Sequence, residues 1–113
     1  MTEAEFQSQV VELAGMLGWR VLHVRRSIGK GHRWTTTTSL TGWPDLVLMR
    51  PPHGLVFAEL KVPPNKPTPE QTELVGFLDR FPFAIACVWT PDDWPKIQRM
   101  LSLVRTTSTA AST

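Results

Sequence analysis

Three ionisable residues occupy strand-like positions where the sequence is otherwise apolar. Asp45 stands directly before the apolar run Leu46 to Met49, and Glu59 and Lys61 stand near the end of a second run that begins at Leu55. A carboxylate buried among apolar groups costs several kcal/mol or shifts its pKa unless a cation compensates it. A fold that buries both strands must therefore bring a cation to the two carboxylates. This requirement restricts how the two strands can pair and which faces their charged side chains can occupy.

The face of the sheet that each of these residues occupies depends on the turn between the two strands. Glu59 and Lys61 are two positions apart, so their side chains project from the same face. Proline and glycine residues between Arg50 and Leu55 predict an antiparallel hairpin. Asp45 joins the other two if the hairpin loop has an odd number of residues, three or five, whereas an even number would turn Asp45 away.

The remaining segments alternate between helical and extended patterns. The patterns predict helices over Thr2 to Leu17, Thr68 to about Arg80 and from Thr90 onward, and strands over Trp19 to Val24, Pro44 to Arg50, Leu55 to Val62 and Phe83 to Trp89. This order, α-β-β-β-α-β-α, predicts an α/β domain. The third strand begins apolar on both faces, so we expect it at the centre of the sheet. The segment from Arg25 to Gly42 is interpreted as a long exposed connection or a flexible hairpin.

Two of the predicted helices begin with the spacing of a capping box. Thr2 and Glu5 are placed so that each side chain bonds the backbone of the other, and Thr68 and Gln71 repeat this spacing. Gln71 is either a capping partner alone or also directed at the sheet. Glu3 falls on the apolar stripe of the first helix, and it is either an inward acid or a first-turn acid favoured by the helix dipole.

Length and composition exclude several classes of protein. The chain has 113 residues, of which 42% are hydrophobic and 19% are charged, and these values fit one soluble globular domain rather than a disordered chain. No apolar run approaches the roughly 18 residues that span a bilayer, and the acidic start is unlike a signal peptide, so we expect a cytoplasmic protein. Cys87 is the one cysteine and the three histidines are scattered, which excludes the spacing of a zinc site.

The charge distribution predicts an anionic partner. The net charge is only +2, but no acid occurs between Leu13 and Pro44. Five cations and two histidines lie in this segment, namely Arg20, Arg25, Arg26, Lys30, Arg33, His23 and His32. The segment is either a solvated basic loop or a phosphate-binding surface. In the second case binding should fall roughly 10²- to 10³-fold between about 50 and 200 mM salt.

Two aromatic side chains in or beside this basic segment each have two possible roles. Trp34 either stacks on an unpaired base or packs under its own loop. His23 either contacts substrate or packs against the domain. The other four tryptophans are expected in the core, as is Cys87, which is interpreted as a small buried hydrophobe.

Asp45 and Glu59 offer hard oxygen ligands without a neighbouring thiol or imidazole, and such ligands favour Mg²⁺ or Mn²⁺ over zinc. Mg²⁺ commonly uses one or two carboxylates together with water and substrate phosphate oxygens, so the expected substrate is a phosphodiester. Lys61 would then orient the nucleophile or stabilise the charge that develops on the phosphorus oxygens.

Three motifs carry a family resemblance. They are Gly42-Trp43-Pro44-Asp45, Phe57-Ala58-Glu59-Leu60-Lys61 and Thr68-Pro69-Glu70-Gln71. Together they resemble the PD-(D/E)xK nuclease superfamily, and in particular the small stand-alone VRR-NUC proteins of phages and prophages, over Thr2 to about Leu103. The resemblance implies a restriction-endonuclease-like core, in which helices flank a mixed sheet. It also implies Mg²⁺- or Mn²⁺-dependent endonuclease action on DNA, with Holliday-junction resolvases among the relatives.

The resemblance assigns roles to individual residues. It implies metal ligation by Asp45, Glu59, the main-chain carbonyl of Leu60 and Glu3, with Lys61 as the catalytic lysine and Gln71 as an accessory glutamine. The loop before Asp45 is longer than is usual in the family and carries the candidate DNA-binding residues Arg25, Arg26, Lys30, Arg33, His32 and Trp34. His23, a further candidate, stands at the end of the strand that precedes this loop.

Two hypotheses follow. The first is a nuclease domain over residues 1–105, followed by a disordered tail over 106–113. It would be a structure-selective DNA endonuclease of replication, repair or recombination that cuts branched or junction DNA as a homodimer, in the bacterial host cytoplasm if a phage encodes it. The alternative is a non-catalytic DNA-binding module that retains the nuclease fold.

Overall fold

The secondary structure follows the predicted order with one addition. The computed structural model describes residues 1–24, 26–28, 34–36, 41–52 and 54–111, with side chains over 1–24, 41–52 and 54–102. The helices are α1 (Glu3–Met16), α2 (Pro69–Leu78) and α3 (Trp94–Ala111), and the strands are β1 (Arg20–His23), β2 (Arg26–Ile28), β3 (Trp34–Thr36), β4 (Leu46–Arg50), β5 (Gly54–Leu60) and β6 (Ile85–Trp89). The addition is the antiparallel pair β2–β3, which forms a separate two-stranded sheet within the connection before β4.

The main sheet has the strand order β1-β4-β5-β6. β1 and β5 both run antiparallel to β4, whereas β6 runs parallel to β5. The prediction of an α/β domain with a mixed sheet is therefore confirmed, and so is the central position of β5. A strand with neighbours on both edges and helices on both faces has no exposed side, which explains its apolar sequence.

The two faces of the sheet pack against different helices. On one face, α1 and α3 contribute buried side chains such as Phe6 and Ile97, which pack against Leu46 and Ala58. On the other face, α2 packs its buried Val75 and Leu78 near Phe57 and Ala86. Because side chains alternate along a strand, Glu59 and Lys61 share the α2 face with Phe57.

Both capping boxes form as the sequence predicts. The backbone N–H of Thr2 donates to Glu5 Oε1 at 2.7 Å, and the backbone N–H of Glu5 donates to Thr2 Oγ1 at 3.1 Å. The bond that the Thr2 backbone donates is the main cause that holds the pKa of the Glu5 carboxyl below its usual range. Helix α1 therefore begins at a defined residue, which fixes the position of its first turn beside the sheet.

The tryptophans and the chain end differ in detail from the expectations. Trp19 and Trp89 are buried, whereas Trp43 and Trp94 are only half-buried against the core. Helix α3 continues to Ala111 and so includes most of the residues that the sequence assigns to a disordered tail, while residues 112–113 lie outside the described ranges. No helix in the described part of the chain has both the length and the apolar character needed to cross a membrane.

Candidate active site

Asp45 lies at the point where the chain enters β4, opposite the end of β5. The register pairs Leu46 with Ala58 and Arg50 with Gly54, so the connection between the strands has three residues. This odd number places Asp45 across from Glu59 and on the same face. Asp45 stands just before β4 rather than within the strand that the sequence predicts to begin at Pro44.

The side chain of Asp45 continues the hydrogen bonding of the β4–β5 pair. Its Oδ2 atom accepts the backbone N–H of Leu60 at 2.9 Å, and its backbone carbonyl accepts the N–H of Val24 at 2.9 Å. These two bonds fix the carboxylate beside the last residues of β5. A carboxylate held in this way requires little reorganisation to bind a ligand.

Glu59 and Lys61 form an ion pair on the same face. The Lys61 ammonium nitrogen lies 3.4 Å from Glu59 Oε2, and the Glu59 side chain is only 1% exposed while that of Lys61 is 16% exposed. A buried carboxylate needs a cation, and Lys61 supplies one. The Lys61 side chain is also partly exposed, so a ligand at the surface can approach it.

The backbone of Leu60 adds a third oxygen to this group. The N–H and C=O of one strand residue point to the same side of the strand. Because the Leu60 N–H donates to Asp45, the Leu60 carbonyl faces the strand that carries Asp45. Two carboxylates and a main-chain carbonyl therefore lie around the end of β5.

Helix α2 begins against the turn that leads to Asp45. Gly42 has a φ of +82°, and a Cβ added there would lie 2.6 Å from the carbonyl carbon of Glu70 and 2.8 Å from the nitrogen of Gln71. Only glycine permits both this conformation and this approach. The first turn of α2 is thereby held beside the carboxylates.

Gln71 is buried, being 2% exposed, at this contact. Its Oε1 atom accepts the backbone N–H of Thr68 at 2.8 Å, and its own backbone N–H donates to Thr68 Oγ1 at 3.2 Å. The capping role is therefore realised. An accessory role in the site would use the amide nitrogen of the same side chain.

Glu3 makes a contact that the sequence did not indicate. It is half-buried in the first turn of α1, and its Oε2 atom accepts a hydrogen bond from Asn65 Nδ2 at 2.9 Å. Asn65 lies in the proline-rich connection that follows Lys61. The hydrogen bond thus ties the side chain of Glu3 to the loop that follows β5, and the assignment of Glu3 as a metal ligand stays a prediction. A single asparagine between prolines carries no pattern from which this contact could have been found.

His23 faces away from the carboxylates. It pairs with Leu46 across β1 and β4, so it shares the α1 face with that residue, opposite to the face of Asp45. Its Nδ1 atom lies 3.0 Å from Gln7 Nε2. Gln7 is a second partner that the sequence did not indicate, although it follows Glu3 by one helical turn.

The other candidate DNA-binding residues are only partly covered by the structure. Arg25, Lys30, His32 and Arg33 lie outside the described residues. Arg26 and Trp34 are described as strand backbone alone, in β2 and β3. The role of the basic segment stays a prediction.

The donor set suits a hard divalent cation. It contains two carboxylates and a main-chain carbonyl, and among the described residues no group of three His, Cys, Asp or Glu side chains could hold a metal ion. A cation at this position would be held by Asp45, Glu59 and the Leu60 carbonyl, with the remaining positions open to water and to substrate oxygens. Mg²⁺ is usually bound in this way, by few carboxylates and several waters.

Comparison with known proteins supports the fold. No protein-family model and no curated protein matches the chain. A solved structure described as "VRR_NUC domain" superposes with a TM-score of 0.58 at 21% sequence identity, and the match covers 88% of this chain and 94% of that chain. The chain shares the fold of a VRR_NUC domain. This likeness confirms the predicted fold, in which helices flank a mixed sheet.

Proposed function

We propose that this protein is a metal-dependent DNA endonuclease of the VRR-NUC type. The observation that carries the proposal is the convergence of Asp45, Glu59 and Lys61 on one face at the end of β5. Two carboxylates beside an ammonium group suit hydrolysis of a phosphodiester by a Mg²⁺- or Mn²⁺-dependent enzyme, because the carboxylates can hold the ion and the ammonium can stabilise developing negative charge. The likeness of the fold to a VRR_NUC domain is consistent with it.

Each residue of this group has a distinct task. Asp45 and Glu59, with the Leu60 carbonyl, would hold Mg²⁺ or Mn²⁺, and the bound ion supplies Lewis-acid polarisation of a phosphoryl oxygen and of water. Lys61 places a positive charge at the surface edge of the site, where it stabilises the negative charge that builds on the phosphorus oxygens during in-line attack. Gln71 and Glu3 are proposed as accessory residues at the margins of the site.

Substrate binding is assigned to the basic segment before β4. Arg25, Arg26, Lys30 and Arg33, with His32 and Trp34, would contact the phosphate backbone and an unpaired base. His23 is left out of this set because it lies against Gln7 on the opposite face of the sheet. Branched DNA is the proposed substrate. A two-fold homodimer would let one enzyme meet the two equivalent scissile bonds of a symmetric junction, and the enzyme would act in the cytoplasm.

A cleavage assay on branched and linear DNA tests this proposal. The wild-type protein is expected to cut in Mg²⁺ or Mn²⁺ and to be inactive in EDTA. Asp45→Ala should lower the rate of cutting by well over ~100-fold and leave DNA binding intact. The reason is that even a residue that only contacts a metal ligand contributes ~10- to 100-fold. Asp92→Ala, which removes an exposed acid from the short turn before α3, serves as the control.

Two results would oppose the proposal. Binding without cutting by the wild-type protein in either metal would identify the non-catalytic DNA-binding module instead. Loss of both binding and cutting in a folded Asp45→Ala protein would show that Asp45 forms part of the binding surface rather than the catalytic centre.

A further inference from the structure

A hydrogen bond between two exposed side chains joins α1 to the segment that follows β5. Asn65 Nδ2 donates to Glu3 Oε2 at 2.9 Å, although the two residues are 62 positions apart. Glu3 belongs to the first turn of α1, and Asn65 belongs to what we call the proline-rich loop, residues 63–67. An exposed hydrogen bond competes with water and contributes little to stability. Its main effect is to fix the orientation of the two side chains.

The proline-rich loop holds Asn65 close to the end of β5. The backbone N–H of Asn65 donates to the carbonyl of Val62 at 3.0 Å, which closes a four-residue turn directly after Lys61. The ends of such a turn lie within about 7 Å, so the Cα atoms of Asn65 and Lys61 lie within roughly 11 Å of each other. Three of the five loop residues are proline, which fixes φ. The loop therefore presents Asn65 beside the proposed site with little backbone freedom.

Both the backbone and the side chain of Glu3 are fixed. The capping box between Thr2 and Glu5 closes the first turn of α1 around Glu3, and Asn65 holds the Oε2 atom. Among the described residues, the other carboxylate oxygen of Glu3, Oε1, has no hydrogen-bond partner. A glutamate side chain that is already oriented loses less freedom when it binds a ligand than a free one does. Glu3 is thus prepared to accept one further ligand.

The neutral amide of Asn65 leaves the charge of Glu3 uncompensated. Within the part of the chain that the structure describes, Glu3 forms no ion pair. A lysine or arginine partner would neutralise the carboxylate, whereas an amide N–H orients it and adds no charge. The negative charge therefore stays available to a cation. Carboxylates that bind metals are themselves held by hydrogen bonds, and loss of such a partner lowers metal affinity or activity by ~10- to 100-fold.

We infer that Asn65 is a positioning residue, which holds the carboxylate of Glu3 in place for the divalent cation of the site. The inference rests on the proposed function, because it needs a cation beside Asp45 and Glu59, and it adds to that site a residue that acts through another side chain. Asn65 does not itself bind the metal or the DNA. Removal of its amide should therefore matter only while the carboxylate of Glu3 is present.

Titration of the full chain with Mn²⁺ in the absence of DNA, followed by electron paramagnetic resonance, tests the inference without reference to activity. Asn65→Ala should weaken Mn²⁺ binding by ~10-fold or more, and Glu3→Gln should weaken it at least as much. When Glu3→Gln is already present, adding Asn65→Ala should change the affinity by less than ~2-fold. Gln9→Ala removes an exposed amide from the same helix as Glu3 and is the matched control, which should bind Mn²⁺ as the wild-type protein does.

Two further measurements distinguish positioning from other roles of Asn65. The melting temperature of Asn65→Ala in EDTA should change by less than ~4 °C, as expected for a surface substitution. Its affinity for DNA in EDTA should equal that of the wild-type protein. A large loss of stability would make Asn65 a structural residue of the loop, and a loss of DNA affinity would make it a DNA contact. Either result would overturn the inference.

The outcomes separate the inference from the proposed function. If the wild-type protein binds Mn²⁺ and cuts DNA, and Asn65→Ala has the same Mn²⁺ affinity, the inference is wrong and the proposed function stands. The inference is also wrong if Asn65→Ala weakens Mn²⁺ binding by the same factor with and without the Glu3 carboxylate, because Asn65 would then act independently of Glu3. A wild-type protein that neither binds Mn²⁺ nor cuts DNA would overturn both.

Discussion

The ammonium nitrogen of Lys61 lies 3.4 Å from Oε2 of Glu59. Glu59 is 1% exposed, so its charge would be costly without a cation at this distance. Lys61 therefore supplies part of the positive charge that the buried carboxylate of Glu59 needs. Lys61 is expected to stabilise the folded chain as well as to serve in catalysis.

Replacement of Lys61 separates these two tasks. Lys61→Met should lower the free energy of unfolding in EDTA by about 1–3 kcal/mol, less than the ~3–5 kcal/mol of a fully buried pair because the lysine reaches solvent. Cutting should fall by ~100-fold or more. Urea denaturation and the cleavage assay measure the two effects. Lys66→Met, at an exposed lysine, should change neither, and an unaltered stability of Lys61→Met would contradict the compensating role.

Gly42 tests the contact between α2 and the turn before Asp45. Gly42→Ala should destabilise the fold by at least about 2 kcal/mol, because a left-handed conformation and a Cβ only 2.6 Å from Glu70 are both costly. Gly76→Ala, within helix α2, is the control, because a Cβ there meets nothing within 4 Å, and it should stabilise the fold by about 0.5–1 kcal/mol. Equal melting temperatures for the two variants would show that the close approach is not maintained in solution.

Gln71 and Thr68 can be compared because they share one capping box. Thr68→Ala and Gln71→Ala each remove one of its two bonds and should each cost about 1 kcal/mol. Only Gln71→Ala also removes the side-chain amide. If that amide has an accessory role, cutting should fall ~10-fold or more in Gln71→Ala alone. Equal cutting by both variants, measured at a temperature where both are folded, would limit Gln71 to the cap.

The Cys87 thiol should make the stability of the fold depend on pH in the alkaline range. Burial raises the pKa of the Cys87 thiol from 9.0 to about 12. The unfolded chain therefore loses this proton above about pH 9 while the folded chain keeps it, so stability should fall as the pH rises from about 9 to about 12. Cys87→Ala should lack this component of the decline when both proteins are unfolded with urea at several pH values.

Cys87 is partly buried against the core, and its raised pKa leaves little reactive thiolate near neutral pH in the folded protein. Alkylation by iodoacetamide at about pH 8 should be slow until the chain unfolds. A native protein that reacts as fast as the unfolded chain would show that the thiol is accessible and would remove the reason for the raised pKa.

Much of the fold was visible in the sequence because its signals are local. The helical periods, the two capping boxes and the double-sided apolar character of β5 each depend on residues within one or two turns or one strand. A hairpin such as β2–β3 is only one of the two arrangements that the sequence of this segment allows, since Arg25 to Gly42 has no period. The end of α3 was also missed, because Ser, Thr and Ala allow a helix without predicting one.

The candidate site was predicted to a different extent for each residue. The shared face of Glu59 and Lys61 follows from the two-residue period of a strand alone. The face of Asp45 was conditional, because the loop length depends on which residues of β4 and β5 pair. The partner of Glu3 was not predictable, since Asn65 is 62 positions away.

The sequence by itself determined which residues carry charge in apolar strands, where the helices begin and which side chains of one strand share a face. Only the tertiary structure decided that a three-residue connection brings Asp45 opposite Glu59, that Lys61 compensates the buried carboxylate, and that Gly42 meets the first turn of α2. The physical reason is the range of the interactions. Backbone periodicity acts between neighbours along the chain, whereas register and close packing depend on residues that meet only after the chain has folded.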